Sequence, residues 1–307
     1  MDLSIIIVNW NSLEYLRKCI VSISKHTECL LEIIVVDNAS PKGDAPHIAR
    51  EFPDCKLVAC QENKGFGAAN NLGFAYSTGE CVLFLNPDTE LLDIQLDVVL
   101  RAVAEIRNGG VLGCTLLNED LSVQTSCIQA FPTILNLLLD AEWLRHRWPK
   151  SRLWGIAPLT SDNDLPAKVE AISGACMFVN REVFMSVGGF TEDYFMYAED
   201  IDLCYKIQRA GFSNYFLKGA TVLHYGGKSS DPERGTRMKW QAITKFFEKH
   251  HGRVHAFFFR CAIVCAALIR IILMTGAKII KSVSPAAQPS PKGLIKWKII
   301  LKTMLAI

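Results

Sequence analysis

Four short apolar, β-branched runs at 4–8, 32–36, 57–59 and 81–85 alternate with helical-period segments over the first 90 residues. That alternation restricts the chain to an α/β fold built on a mainly parallel, twisted sheet flanked by helices. Between the first two runs, Leu13, Leu16, Ile20 and Ile23 recur at helical spacing over 12–25. A second helix is expected over 67–77, after the turn containing Gly65 and Gly67. Polar residues cluster after the strands: Asn9 and Asn11, Asp37 and Asn38, then Asn86-Pro87-Asp88. Open parallel sheets bind their ligands at that edge. Further strands are expected at 169–179 and 221–224, with helices at 201–209 and 238–250. Residues 115–170, with Trp143, Trp148 and Trp154, follow no clear period.

Charge divides the chain unevenly. Residues 252–307 hold nine Lys/Arg and no Asp/Glu, so the tail carries +9 and the remainder about −7. A basic tail suits an anionic surface, and the apolar character of this one favours lipid over nucleic acid. The run 256–274 approaches spanning length. On a helical wheel, however, Arg253, Arg260, Arg270, Lys278 and Lys281 share about 100° of arc. Such a stripe fits a helix lying in the interface, while a docked core helix and a single tilted span remain as alternatives. A shorter segment at 294–305 combines Lys296, Lys298 and Lys302 with Trp297 and aliphatics, beyond a hinge of Pro285, Pro289 and Pro291. The eleven cysteines include no CxxC pair. With no basic-then-apolar leader at the start, the expectation is a reduced, cytoplasmic chain.

Each polar cluster admits a bland and a chemical reading. Asp37 either closes a strand as an Asx turn or accepts a hydrogen bond from a ribose hydroxyl or a pyrimidine N–H. The turn at Asn63-Lys64-Gly65 is either structural or a close approach to a ligand. Asp88 emerges from an apolar strand, where it is either a turn residue or a ligand for a hard divalent cation. Glu199, Asp200 and Asp202 crowd the start of a helix. The helix dipole favours acids there, and a partly desolvated general base would also sit well there. His224 leaves the last strand into a Gly-Gly-Lys loop, either as a structural histidine or as a metal ligand with Lys228 near a diphosphate.

In chain order, SIIIVNWN at 4–11, VVDNAS at 35–40, NKGFG at 63–67, FLNPDT at 84–89, GACM at 174–177, EDIDL at 199–203 and HYGGKS at 224–229 together resemble family 2 glycosyltransferases, particularly the bacterial rhamnosyltransferase-like members. The resemblance covers roughly residues 3–230. It implies a GT-A fold, an inverting reaction and a divalent metal, Mg2+ or Mn2+. By position it makes Asp200, with Glu199 beside it, the candidate base, and Asp88 and His224 the metal ligands. Asn9, Asp37, Asn63, Lys64, Gly65, Asn86 and Lys228 become the candidates for binding the nucleotide-sugar donor. At 86 the chain carries Asn where many members have the first Asp of a DxD, which leaves Asp88 as the carboxylate ligand.

The expected organisation is a catalytic domain over 1–230, a connecting helix over 231–252 and a basic, amphipathic, membrane-associated tail over 253–307. Within the domain, the nucleotide-sugar half is about 1–114 and the acceptor half about 115–230. The acceptor expected is a lipid-linked saccharide at the cytoplasmic face of a membrane, with no nucleic-acid partner. A dehydrogenase is excluded because Asn9-Trp10-Asn11-Ser12 replaces the G-x-G-x-x-G turn after strand one. A sugar-1-phosphate nucleotidyltransferase would need a Gly-rich basic loop at the same place. A non-catalytic sugar-nucleotide binder would have little use for acids at both 88 and 200.

Overall fold

The computed structural model of the chain describes residues 2–25, 29–139, 142–161, 165–226, 231–281 and 291–307. In chain order the elements are β1 (Leu3–Asn9), α1 (Leu13–Lys25), β2 (Leu31–Asp37), α2 (Asp44–Glu51), β3 (Lys56–Ala59), α3 (Phe66–Ala75), β4 (Cys81–Leu85), β5 (Thr89–Asp93), α4 (Leu96–Glu105), β6 (Gly109–Leu117) and β7 (Ile128–Gln129). They continue with α5 (Ile134–Leu138), α6 (Glu142–Arg147), β8 (Ala167–Val169), β9 (Ala171–Ile172), β10 (Cys176–Asn180), α7 (Arg181–Ser186), α8 (Glu199–Arg209), β11 (Ser213–His224), α9 (Pro232–His251), α10 (Arg253–Lys281) and α11 (Pro291–Ala306). They form two compact units: one comprises 1–131, 145–195 and 199–229, the other 132–144, 196–198 and 230–307.

The first unit is built on a mixed sheet ordered β3-β2-β1-β4-β10-β6-β11-β5, with β8 against β11. Strands β1 and β4 are buried at every position, as their unbroken apolar runs require. β1 pairs in parallel with both β2 and β4, so the order reverses beside β1. A crevice opens at such a switch point, beyond the strands' carboxyl ends. β10 lies antiparallel between β4 and β6. The run 169–179 is therefore not one strand. It divides into the end of β8, then β9, which pairs with β7, and then β10. β11 is longer than its apolar end suggests, reaching back to Ser213.

In the second unit α9, α10 and α11 share a core that includes Trp240, Phe247, Phe259, Trp297, Ile300 and Met304. The rings of Phe247 and Phe259 stack at 4.3 Å. Two of the five stripe cations do not face solvent as a headgroup-facing row would. Arg260 donates to the carbonyl of Met304 at 3.1 Å, in the last turn of α11. Arg270 donates to the carbonyl of Leu138 at 2.6 Å, at the end of α5, and lies over the Trp297 ring. Helix C-termini leave carbonyls without intrahelical partners, and a cation there also meets the negative end of the dipole. These two arginines thus cap neighbouring helices. The face of α10 left outside is apolar: Val254, Phe257, Phe258, Ile269, Ile272 and Leu273 are each more than half exposed. Arg253, Lys296, Lys298 and Lys302 are exposed, while the side chains of Lys278 and Lys281 lie outside the described residues. The expected hinge prolines Pro285 and Pro289 also lie outside them, and Pro291 opens α11.

Candidate active site

The floor of the crevice is set by the β1–β2 register, which places Asn9 opposite Asp37. Both side chains are buried, and Asn9 Nδ2 donates to Asp37 Oδ1 at 3.0 Å and to Asp44 Oδ2 at 2.9 Å. The Ser40 hydroxyl donates to the same Asp37 oxygen at 2.5 Å. These donors fix one carboxylate oxygen of Asp37. Next to it, Asn38 Nδ2 donates to Asn63 Oδ1 at 3.0 Å, and Asn38 Oδ1 accepts from the Lys64 amide at 2.9 Å. The glycine turn is thereby tied to the end of β2. Gly65 has φ +83°, and a Cβ there would collide with the Phe195 carbonyl, so this turn requires glycine. Lys64 Nζ is 3.7 Å from Glu62 at the surface.

At the end of β4, the Asn86 amide donates to the Ala175 carbonyl at 3.0 Å, and the Thr89 hydroxyl closes the turn onto the Asn86 carbonyl at 2.7 Å. β5 then pairs antiparallel with β11, setting Thr89 opposite His224. That register brings His224 Nε2 to 3.5 Å from Asp88 Oδ1 and to 3.4 Å from Asn86 Nδ2. Both members of the Asp88–His224 pair keep some access to solvent.

The loop that holds Asn86 also holds Asp200. One residue before Ala175, the Gly174 amide donates to Asp200 Oδ2 at 2.9 Å, while Asp200 Oδ1 accepts from the Ile201 amide at 2.8 Å. A Cβ on Gly174 would lie 3.3 Å from the Cβ of Asp200, so a larger residue would crowd that carboxylate. The three acids of α8 then separate by environment. Asp202 is fully buried and accepts from Thr191 Oγ1 at 2.6 Å and Tyr194 Oη at 3.2 Å, a structural arrangement. Glu199 is buried, and its Oε2 has no hydrogen-bond partner. Burial first, and the neighbouring Asp200 charge second, push its carboxyl up to about 8.

A carboxyl whose folded value is raised binds its proton in the native chain after the unfolded chain has released it. Its contribution to stability is complete below about 4.5 and disappears as pH rises through about 8. Glu199→Gln should therefore flatten the decline of melting temperature across that interval. Parallel profiles for variant and wild type would mean that Glu199 is ionised in the folded protein.

The edge thus gathers Asn9, Asp37, Asn63, Gly65, Asn86, Asp88, His224, Glu199 and Asp200. Lys64 is there through its backbone, and Lys228 lies outside the described residues. Sequence reading missed Gln124, whose Oε1 lies 2.9 Å from His224 Nδ1. It also missed the backbone role of Gly174, although the GACM motif marked the place. Among the described residues no group of three or more His, Cys, Asp or Glu is arranged to hold a metal.

Known proteins share the family and the fold of this chain. The model of the family described as "Glycosyl transferase family 2" matches residues 4–188. An N-acetylglucosaminyl-diphospho-decaprenol L-rhamnosyltransferase of Mycobacterium tuberculosis is 30% identical over 77% of this chain and 80% of its own length. Rhamnosyltransferase WbbL of Escherichia coli is 25% identical over 79% of this chain and 90% of its own. A mannosyltransferase of Pyrobaculum calidifontis, solved with GDP-Man and Mn2+, superposes with a TM-score of 0.59 at 17% identity. The match covers 99% of this chain and 86% of that one. At that identity the likeness is one of fold, and the fold is GT-A.

Proposed function

The chain belongs to glycosyl transferase family 2, and from that premise we propose a specific reaction. It moves a sugar from a pyrimidine nucleoside diphosphate to a hydroxyl of a lipid-linked saccharide, with inversion at the anomeric carbon, in cell-surface polysaccharide synthesis. Rhamnose is the sugar we favour, on the names of the mycobacterial and E. coli relatives. One observation carries the reading: the loop 174–175 holds both Asn86, beside the Asp88–His224 pair, and the Asp200 carboxylate. A group that meets the donor and a group able to take a proton are thereby set at one sheet edge.

In this reading Asp37, Asn9 and the Asn63-Lys64-Gly65 turn receive the nucleoside. Asp200, held by two backbone N–H groups, accepts the proton of the acceptor hydroxyl as its oxygen attacks the anomeric carbon. Burial and the neighbouring Asp200 charge favour the protonated form of Glu199. A divalent cation, Mg2+ or Mn2+, fits the remaining residues: Asp88 supplies a hard oxygen and His224 an imidazole nitrogen, with solvent access for further ligands. Such ions commonly keep waters and bind substrate phosphates alongside few protein groups. When bound, the cation would neutralise charge on the departing nucleoside diphosphate. Purified protein offered a panel of nucleotide sugars with a polyprenyl-diphosphate-linked acceptor should release nucleoside diphosphate with one of them, in the presence of Mn2+ or Mg2+. No release with any donor would overturn the proposal.

The second unit supports a seat at the membrane. α10 is long and apolar enough to cross a bilayer by length and composition over Arg253–Gly276. Its arginines, however, are turned onto helix ends within the unit, and its apolar face is outermost. We propose that this face inserts into one leaflet from the cytoplasmic side, with lysines of α11 meeting anionic headgroups. Apolar insertion is indifferent to ionic strength, whereas headgroup attraction is screened over about 3 Å at ~1 M salt. The protein should therefore stay on vesicles washed in high salt, and a paired Phe257→Glu and Ile272→Glu change should release it. A tag after Ile307 should be cut by protease from the same side as the catalytic unit. Cleavage from the opposite side would mean that α10 spans.

A further inference from the structure

Gln124 lies beyond the turn that follows β6, directly before a short 3-10 turn over Thr125–Cys127. Its amide donates to the Leu116 carbonyl at 2.8 Å, and its own carbonyl accepts from the Cys127 amide at 3.1 Å, so its backbone is fixed at both ends. Its side chain makes two contacts with His224, one to the main chain and one to the ring. Nε2 donates to the His224 carbonyl at 2.6 Å and faces the Leu117 carbonyl at 3.5 Å, while Oε1 lies 2.9 Å from His224 Nδ1. The orientation of the amide follows from chemistry. A carbonyl oxygen cannot donate, so the atom facing both carbonyls must be the amino nitrogen. The atom facing Nδ1 is then an oxygen, which can only accept, and Nδ1 must carry the hydrogen.

We infer that Gln124 sets the tautomer of His224, holding it as Nδ1–H with the Nε2 lone pair turned toward Asp88. A second observation agrees. Nε2 and Asp88 Oδ1 are 3.5 Å apart, beyond the ordinary N–H···O range, so the pair is not closed by a shared proton. Two acceptors facing each other at the crevice favour a cation between them, and the Asn86 amide nitrogen at 3.4 Å is the remaining neighbour of that lone pair. Gln124 is thus a positioning residue, which acts through the ring it orients. Partners of this kind alter metal affinity by roughly 10- to 100-fold. The positioning role rests on the proposed cation site at Asp88 and His224. The tautomer does not.

The full-length protein labelled with 15N-histidine, in chelator and about 1.5 pH units above the ordinary imidazole value near 6.5, tests the tautomer without any metal. His224→Asn assigns the signals. The expected result is a protonated Nδ1 and a pyridine-like Nε2 for His224, shifting to the Nε2–H form in Gln124→Met. Gln124→Glu keeps an acceptor opposite Nδ1 and should preserve the wild-type form. An Nε2–H ring in the wild type, or no change in Gln124→Met, overturns the inference. Free-Mn2+ titration with dTDP, read by electron paramagnetic resonance, is the second measurement. Gln124→Met should weaken Mn2+ binding about tenfold or more, and metal-free dTDP binding should be unchanged. A tautomer that responds to Gln124 while neither Gln124→Met nor Asp88→Ala alters Mn2+ binding would overturn the cation reading and the positioning role together. The tautomer assignment would survive that outcome.

Discussion

Asp200→Asn is expected to lower turnover by at least about a hundredfold, the ordinary scale of general base catalysis, while donor affinity stays near wild type. Asn is close in shape, although its single oxygen can keep only one of the Gly174 and Ile201 amides, and it cannot take a proton at neutral pH. The loss should therefore appear in kcat. Glu199→Gln should cost less, because a buried carboxyl that already carries its proton is mimicked well by an amide. Steady-state kinetics with a saturating lipid-linked acceptor separate the two. A larger loss at Glu199 than at Asp200 would transfer the base to the neighbouring residue.

Asp88→Ala should abolish detectable transfer and remove the metal-dependent part of nucleoside diphosphate binding. His224 would then face the crevice without its carboxylate partner, now 3.5 Å away. The fold should be retained, since the turn is held by main-chain contacts: the Asp88 carbonyl accepts from the Tyr225 amide at 3.0 Å, and Asn86 is tied to Ala175. Calorimetry of nucleoside diphosphate binding with and without Mn2+ is the direct measurement. A metal-dependent increment of wild-type size in the variant would remove Asp88 from the site.

Strands β1 and β4 were legible because burial on both faces writes an unbroken apolar run, and the polar residues at their ends stood out against it. β6 was hidden by its own packing. Gly110 and Gly113 interrupt its apolar pattern, because a Cβ at Gly110 would strike Ile207 and one at Gly113 would strike Ile172. Those glycines answer to neighbours far away in sequence, which local pattern cannot display. Gln124 was invisible for the same reason: a polar residue in a polar turn acquires its role from a partner 100 positions away. The tail misled in a different way. A helical wheel places Arg260 and Arg270 on one side correctly, but it cannot say that the carbonyl ends of α11 and α5 occupy that side.

One consequence of the reversed strand β10 concerns the polarity of the crevice's rim. Parallel strands all run toward that rim, with their backbone N–H and C=O groups directed sideways into the ladder. β10 arrives from the other direction, and the segment leading into it brings main-chain N–H groups to the same place. The sheet thus supplies a donor for the Asp200 carboxylate without spending a lysine or arginine, whose positive charge would also attract the donor's phosphates. The same short segment grips the β4 turn through the Ala175 carbonyl, so it works as a common hinge pin for both sides of the crevice. A one-residue insertion between Ser173 and Cys176 would dislodge the two anchorages together, and nucleotide binding and proton removal would fail as one.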